Sequence, residues 1–71
     1  MKLCKIITGI PIQPIVVGLP ALICKNGRVI KTSDVVWTTR VSATEIRFET
    51  LRTIYVLNVV PVKERKVVYD R

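Results

Sequence analysis

Two cations flank the strongest turn signal in the chain. Within residues 23–31, ICKNGRVIK, the dipeptide Asn26-Gly27 predicts a two-residue type I′ hairpin turn, because both residues tolerate positive φ. Lys25 and Arg28 then face each other as the closing pair of the hairpin, where like charges repel. Solvent can screen this repulsion, or an anion can lie between the two side chains. The pair is therefore the first candidate for contact with an anionic ligand.

Charge makes nucleic acid the leading candidate ligand. Twelve Lys and Arg residues against five Asp and Glu give a net charge of +7, which attracts nucleic acid, acidic proteins or anionic lipid headgroups without selecting among them. A charge of this size also simply keeps small domains soluble. Small barrels bind single strands with cations for the phosphates and aromatic faces for the bases, although aromatic content here is only 6%. The candidate nucleic-acid contacts are Lys25, Arg28, Lys31, Arg40, Arg47 and Arg52, with Trp37 or Tyr55 as a stacking surface.

Catalysis is the least supported class of function. The chain has no His, only five carboxylates and no glycine-rich phosphate loop, so the groups needed for acid–base or nucleophilic catalysis are sparse. Cys4 and Cys24 are separated by nineteen residues without a CxxC pair, so no metal site and no cofactor are expected. Two cysteines in apolar surroundings favour reduced thiols over a disulfide between them. We expect a non-enzymatic binding protein.

The N-terminal apolar run does not predict a targeting or membrane segment. Gly9, Pro11 and Pro14 interrupt it, and no small-residue cleavage site follows. The longest apolar stretch, residues 15–24, is about half the roughly 20 residues that a membrane span requires. A soluble, cytoplasmic protein without a membrane span is expected.

Composition predicts an all-β fold. Val and Ile supply 21 of the 71 residues, and β-branched side chains fit a pleated surface better than a helix. No segment keeps a helical apolar period, whereas residues 45–50 alternate apolar and charged side chains. Strands are expected at residues 3–8, 21–24, 28–32, 35–41, 45–50 and 53–60, with a bend, bulge or helical turn near Thr32-Ser33-Asp34.

Strand number and chain length together favour a small barrel. Five or six short strands in a single domain, residues 1–61, predict an antiparallel sheet curled into a barrel, because closure removes exposed edges. The layout is similar to that of SH3-like barrels, with a long apolar connection after the first strand. A strongly curled sheet is the alternative. Residues 62–71 are expected to form a charged tail or an additional edge strand.

A two-residue turn also fixes which residues of the first hairpin face each other. It places Cys24 opposite Val29, Ile23 opposite Ile30, Leu22 opposite Lys31 and Ala21 opposite Thr32. Ile23 and Ile30 then share a face with Lys25 and Arg28. We expect the two isoleucines to enter the core and the two cations to project beyond it.

The second hairpin predicts a partner interface, and with it an alternative function. Whereas a three-residue loop would flip one of the two strands, a two-residue turn at Leu51-Arg52 pairs Phe48 with Tyr55 on an apolar face. Ile54 and Val56 then point outward, where another strand, a protein partner or a second copy of the chain would cover them. An exposed edge strand would also bind a partner by β-augmentation. Cations clustered on one face would favour nucleic acid, whereas an apolar patch between scattered charges would favour protein interaction or self-assembly.

Overall fold

Every regular element of the described chain, residues 2–60, is a β-strand. In the computed structural model the strands are β1 (Leu3–Pro11), β2 (Pro20–Lys25), β3 (Arg28–Asp34), β4 (Trp37–Ser42), β5 (Glu45–Glu49) and β6 (Thr53–Val59). The predicted all-β class is confirmed. In this part of the chain, no helix is long and apolar enough to cross a membrane. The predicted tail, residues 62–71, lies outside the described residues.

The six strands form one mixed sheet in the order β3-β2-β1-β6-β5-β4. Neighbouring strands are antiparallel except at the centre, where β1 runs parallel to β6 with Leu3 opposite Thr53 and Gly9 opposite Val59. The predicted antiparallel sheet is therefore wrong at this central pair. No tight turn can join parallel strands, and here the other four strands make the connection.

The sheet does not close into a barrel, so β3 and β4 remain its two edges within the described chain. Only Val35 and Val36 separate these strands, but their N–H groups donate to different partners. Val35 N–H donates to Leu19 O at 2.9 Å, and Val36 N–H donates to Glu49 O at 2.7 Å. The chain thus passes from the β2 side to the β5 side within two residues. This divergence separates β3 from β4, and the SH3-like closure predicted from the sequence is not observed.

Strand β1 bonds to two neighbours in succession. Leu3 N–H donates to Arg52 O at 3.0 Å, and Gly9 O accepts from Val60 N–H at 3.1 Å. Because main-chain groups alternate in direction along a strand, the odd-numbered residues of β1 bond to β6. Beyond Gly9 the strand pairs with β2 instead, which extends it past its predicted end to Pro11.

The core contains side chains from both halves of the sheet. Its buried apolar residues are Ile7, Ala21, Ile23, Val35, Ile46, Phe48 and Leu57. The rings of Phe48 and Tyr55 stack with their centroids 4.7 Å apart. Side chains of β2 thus pack with those of β5 and β6, which are not its neighbours in the sheet, so the sheet folds over on itself. Each large apolar side chain buried there stabilises the fold by about 1.5–3 kcal/mol.

Both hairpins have the predicted pairing, except for Ala21 with Thr32 in the first. Asn26 and Gly27 have φ angles of 53° and 77°, the left-handed conformation that a type I′ turn requires. The ladder of the first hairpin pairs Lys25 with Arg28, Cys24 with Val29, Ile23 with Ile30 and Leu22 with Lys31. The ladder of the second pairs Glu49 with Ile54, Phe48 with Tyr55, Arg47 with Val56 and Ile46 with Leu57. Of the two isoleucines predicted to enter the core, Ile23 is fully buried and Ile30 is half-buried.

A bulge replaces the expected pairing of Ala21 with Thr32. The ladder between β2 and β3 shifts by one residue at this point, within the segment where a bend or bulge was predicted. Thr32 is buried, and its Oγ1 accepts from Ala21 N–H at 3.0 Å and donates to Ser33 O at 2.7 Å. A side-chain hydroxyl thus takes the place of the missing main-chain acceptor.

Gly9 allows β1 and β2 to approach each other closely. A Cβ atom at this position would lie 2.6 Å from Cys24 O and 3.0 Å from Ile23 Cγ2. The first of these atoms belongs to the main chain and cannot rotate away. Glycine is therefore required here for space, at the point where β1 changes partner.

We expect Thr32→Val to lower the free energy of unfolding by about 1–3 kcal/mol, because the buried Ala21 N–H loses its acceptor while the side-chain volume is kept. Urea unfolding measures the loss, and the Ala21 amide should also exchange with solvent faster. Thr32→Ser is the control, since it retains the hydroxyl. A Thr32→Val protein as stable as the parent would show that the hydroxyl is dispensable at the bulge.

We expect Gly9→Ala to lower the free energy of unfolding by about 1–3 kcal/mol, since the new methyl group pushes β1 away from the Cys24 carbonyl. Thr8→Ala is the matched control, because Thr8 is exposed and its loss should change stability by less than about 0.5 kcal/mol. Both variants are compared by urea unfolding. Equal stability of the two would contradict the close approach at Gly9.

Candidate functional site

The hairpin tip, residues 25–28, carries the pair of cations that the turn signal flanks. Lys25 and Arg28 are exposed, face each other across the ladder and form no ion pair with the described residues. Together with Asn26 and Ile30 they line an open recess of about 450 Å³. Two cations without carboxylate partners can hold one anionic group, such as a carboxylate or a phosphate.

Lys31 does not extend this cationic pair. It follows Ile30 on β3, whereas Arg28 lies two residues before Ile30. Because side chains alternate between the two faces of a strand, Lys31 points to the face opposite Lys25 and Arg28.

Two of the predicted arginines bond within their own hairpin. Arg40 Nη1 donates to the carbonyl oxygens of Ser42 and Ala43, both at 3.2 Å, and so braces the turn between β4 and β5. Arg47 Nε donates to Glu45 Oε2 at 2.9 Å, and this ion pair offsets its charge.

The remaining predicted contacts, Arg52 and Trp37, lie elsewhere. Arg52 is in the turn between β5 and β6, where its carbonyl oxygen accepts from Leu3 N–H at the start of β1. Trp37 is 46% exposed and faces Glu49 in the ladder between β4 and β5. Of the predicted nucleic-acid contacts, the ladders bring only the two cations of the hairpin tip into a facing pair.

An apolar patch lies on the side of the central strands that points away from the core. We call it the outer face, and it consists of Cys4, Ile6, Ile54 and Val56. In the parallel ladder Cys4 lies beside Ile54, and Ile6 lies beside Val56. These residues lie on the face opposite the buried Ile7 and Leu57 and so point outward. Ile6 is 71% exposed, whereas Ile54 and Val56 are half-buried because β1 lies beside them.

Charged residues border the outer face. On β5, Glu49 lies beside Ile54 and Arg47 lies beside Val56. Lys2 Nζ reaches across β6 to Glu49 Oε1 at 2.7 Å. The outer face is thus an apolar patch beside charges that are already paired.

The main chain of β1 is open on the side opposite β6. Since the odd-numbered residues bond to β6, the N–H and C=O groups of Cys4, Ile6 and Thr8 point the other way. Strand β2 pairs with β1 only at Ile10 and Pro11. Within residues 2–60, no strand therefore lies beside Cys4, Ile6 and Thr8, and these three residues define the open edge.

Two further recesses lack a catalytic arrangement. One, of about 490 Å³, lies between the connection after β1 and strand β4, and no carboxylate lines it. The other, of about 620 Å³, contains Ser33 and Asp34, but neither side chain is hydrogen-bonded to another described side chain. Residues 2–60 also contain no group of three or more His, Cys, Asp and Glu side chains that could hold a metal ion.

The two cysteines are free thiols in separate places. Cys4 is exposed and Cys24 is half-buried. Cys24 faces Ile10, which lies roughly 20 Å of extended strand from Cys4. A disulfide requires Cα atoms within about 7 Å of each other, so these two thiols cannot form one within this fold.

The sequence pointed to the hairpin tip, to Ile54 and Val56 and to an exposed edge strand, but it did not locate the open edge on β1. Comparison with known proteins adds no family, because no family model, curated protein or solved structure matches the chain. The candidate functional surfaces are thus the open edge, the outer face and the hairpin tip.

Proposed function

We propose that the protein is a non-enzymatic protein-interaction module that binds an extended segment of its partner along strand β1. The observation that carries this proposal is the open edge, which lies next to the apolar outer face. A strand added there would satisfy main-chain groups and cover apolar side chains at the same time.

An open strand edge is normally protected. Proteins shield such edges with proline, bulges, inward-pointing charges or a covering loop, because unpaired main-chain groups otherwise recruit other strands. Here, Cys4, Ile6 and Thr8 form a regular strand, with Lys5 as the only charge between them. Leu3 and Ile6 are 66% and 71% exposed. Because Lys5 deters strands in general, this edge suits a strand whose own charge compensates it.

The distribution of charge favours a protein partner over nucleic acid. Phosphate recognition would be supported by cations that track a backbone along one groove. Arg47 is instead paired with Glu45, Arg40 bonds to its own turn, and Lys31 points away from the hairpin tip. An apolar patch between dispersed charges is the arrangement that supports protein interaction.

Selection of randomised peptides displayed on phage, with the full chain as bait, tests the proposal. We expect enrichment of extended sequences whose binding falls at least about tenfold on Ile6→Asp, since a charge in the outer face opposes apolar contact. Leu51→Asp is the matched control, because Leu51 is 78% exposed but lies in the turn between β5 and β6. Failure to enrich any sequence, or equal binding by the parent and Ile6→Asp, would count against the proposal.

Nucleic-acid binding is the second candidate function, and the hairpin tip is the observation that favours it. Lys25 and Arg28 are exposed cations at the hairpin tip without carboxylate partners among the described residues. Such a pair would contact phosphates, with an affinity that falls steeply as salt rises.

If nucleic acid is the ligand, we expect the double substitution Lys25→Glu and Arg28→Glu to abolish binding with little change in the unfolding temperature, since both side chains are solvated. Fluorescence anisotropy of labelled single-stranded and duplex oligonucleotides, at low and near-physiological salt, measures this. Lys31→Glu is the control on the opposite face. Binding that is absent in the parent at near-physiological salt would remove this candidate.

A further inference from the structure

We propose that the segment bound at the open edge is acidic and extended, with apolar and acidic residues in alternation. This inference rests on the proposed function and names the chemistry of the partner. Its carboxylates would contact Lys5, Lys25 and Arg28, while its apolar side chains would extend the outer face.

The main chain of the open edge sets the geometry of binding. The outward N–H and C=O groups of Cys4, Ile6 and Thr8 repeat every second residue, or about 6.6–6.8 Å along the strand. A partner strand presents its own main-chain groups at the same interval. The added strand would therefore bond to β1 with alternate residues and would become a third neighbour of this strand.

The two faces of β1 determine which partner residues are apolar. In a sheet, residues directly opposite each other point to the same side. Partner residues beside Cys4 and Ile6 would thus project onto the outer face, where Val56 and Ile54 continue the apolar surface. Apolar side chains fit there.

The other face of β1 carries unpaired positive charge. Lys5 shares this face with Ile7 and is exposed. Strands β1 and β2 are antiparallel, with Ile10 opposite Cys24. One residue further along, this register puts Lys25 beside Gly9, at the far end of the open edge.

None of these nearby cations is neutralised within the described chain. Lys5, Lys25 and Arg28 form no ion pair there, in contrast to Lys2 and Arg47. Carboxylates on alternate partner residues would therefore meet cations at the middle and at one end of the edge. Charge complementarity thus assigns acidic residues to this face.

A second copy of the chain fits this edge less well. Each copy has a net charge of +7, so two copies repel each other. An acidic segment brings the opposite charge to the same main-chain groups and needs no symmetric alignment.

A labelled, end-blocked peptide of alternating Glu and Val is the probe, and the matched peptide of alternating Lys and Val is its control. We expect the acidic peptide to bind the full chain at least about tenfold more tightly in fluorescence anisotropy at near-physiological salt. Equal binding of the two peptides, or tighter binding of the basic one, would overturn the inference.

Ile6→Pro separates strand addition from simple charge attraction. Proline removes an N–H that points away from β6, so the ladder between β1 and β6 keeps its bonds while the open edge loses a central donor. We expect binding of the acidic peptide to weaken about tenfold or more. Ile6→Thr is the control, since it retains the N–H, and unfolding temperatures verify that both variants are folded.

A test on the peptide avoids any effect on protein folding. N-methylation of alternate residues in the acidic peptide blocks main-chain donors along one of its edges only. We expect methylation of one alternate set to abolish binding and methylation of the other set to leave it within about threefold. Equal binding of both methylated peptides would overturn strand addition.

The outcomes also distinguish this inference from the proposed function. If phage selection yields ligands that depend on Ile6 but are neutral or basic, the proposed function stands and the acidic partner is wrong. If sedimentation shows a dimer of the chain alone that Ile6→Pro dissociates, the occupant is a second copy. If neither peptides nor selected sequences bind, the proposed function fails, and with it this inference.

Discussion

The close approach of two main chains at Gly9 is the constraint on which the sheet depends. Strand β1 must bond to β6 as far as Gly9 and to β2 from Ile10 onward. A side chain at Gly9 would separate it from the Cys24 carbonyl. Because the change of partner occurs at this one position, the β2–β3 hairpin can fold over the core while the first half of β1 keeps one edge uncovered. The packing of the core and the open edge thus both depend on the change of partner at Gly9.

The elements that could be predicted are those specified by local sequence. Asn26-Gly27 fixes the first hairpin, and the alternation of Ile46 and Phe48 with charged residues fixes the second. The parallel pairing of β1 with β6 could not be predicted, because no turn connects strands so far apart in the chain. Barrel closure, which the described sheet does not show, could not be judged from the sequence for a similar reason, since it depends on where Val35 and Val36 direct their N–H groups.

The candidate site likewise has side chains that could be predicted from the sequence and main-chain groups that could not. Cations such as Lys25 and Arg28 are visible in a sequence, and the turn between them places them together. That Arg40 and Arg47 do not join them could not be predicted, because the first braces a turn and the second pairs with a carboxylate. The open edge has no residue signature, since its donors and acceptors belong to every peptide unit. It becomes recognisable only when the neighbours of β1 are known.

The central parallel pair also determines the order in which the fold can form. From Leu3 to Gly9, each residue of β1 pairs with one that lies 50 positions later in the chain, whereas both hairpins join residues that are close in sequence. Contacts between distant residues require the closure of a long loop and form slowly. During synthesis β1 precedes the other five strands, and its Leu3–Gly9 part has no β6 partner until β6 has been made. Both edges of this part of β1 are therefore unpaired while β2 to β5 are made, so it is the part of the sheet that waits longest for its partner.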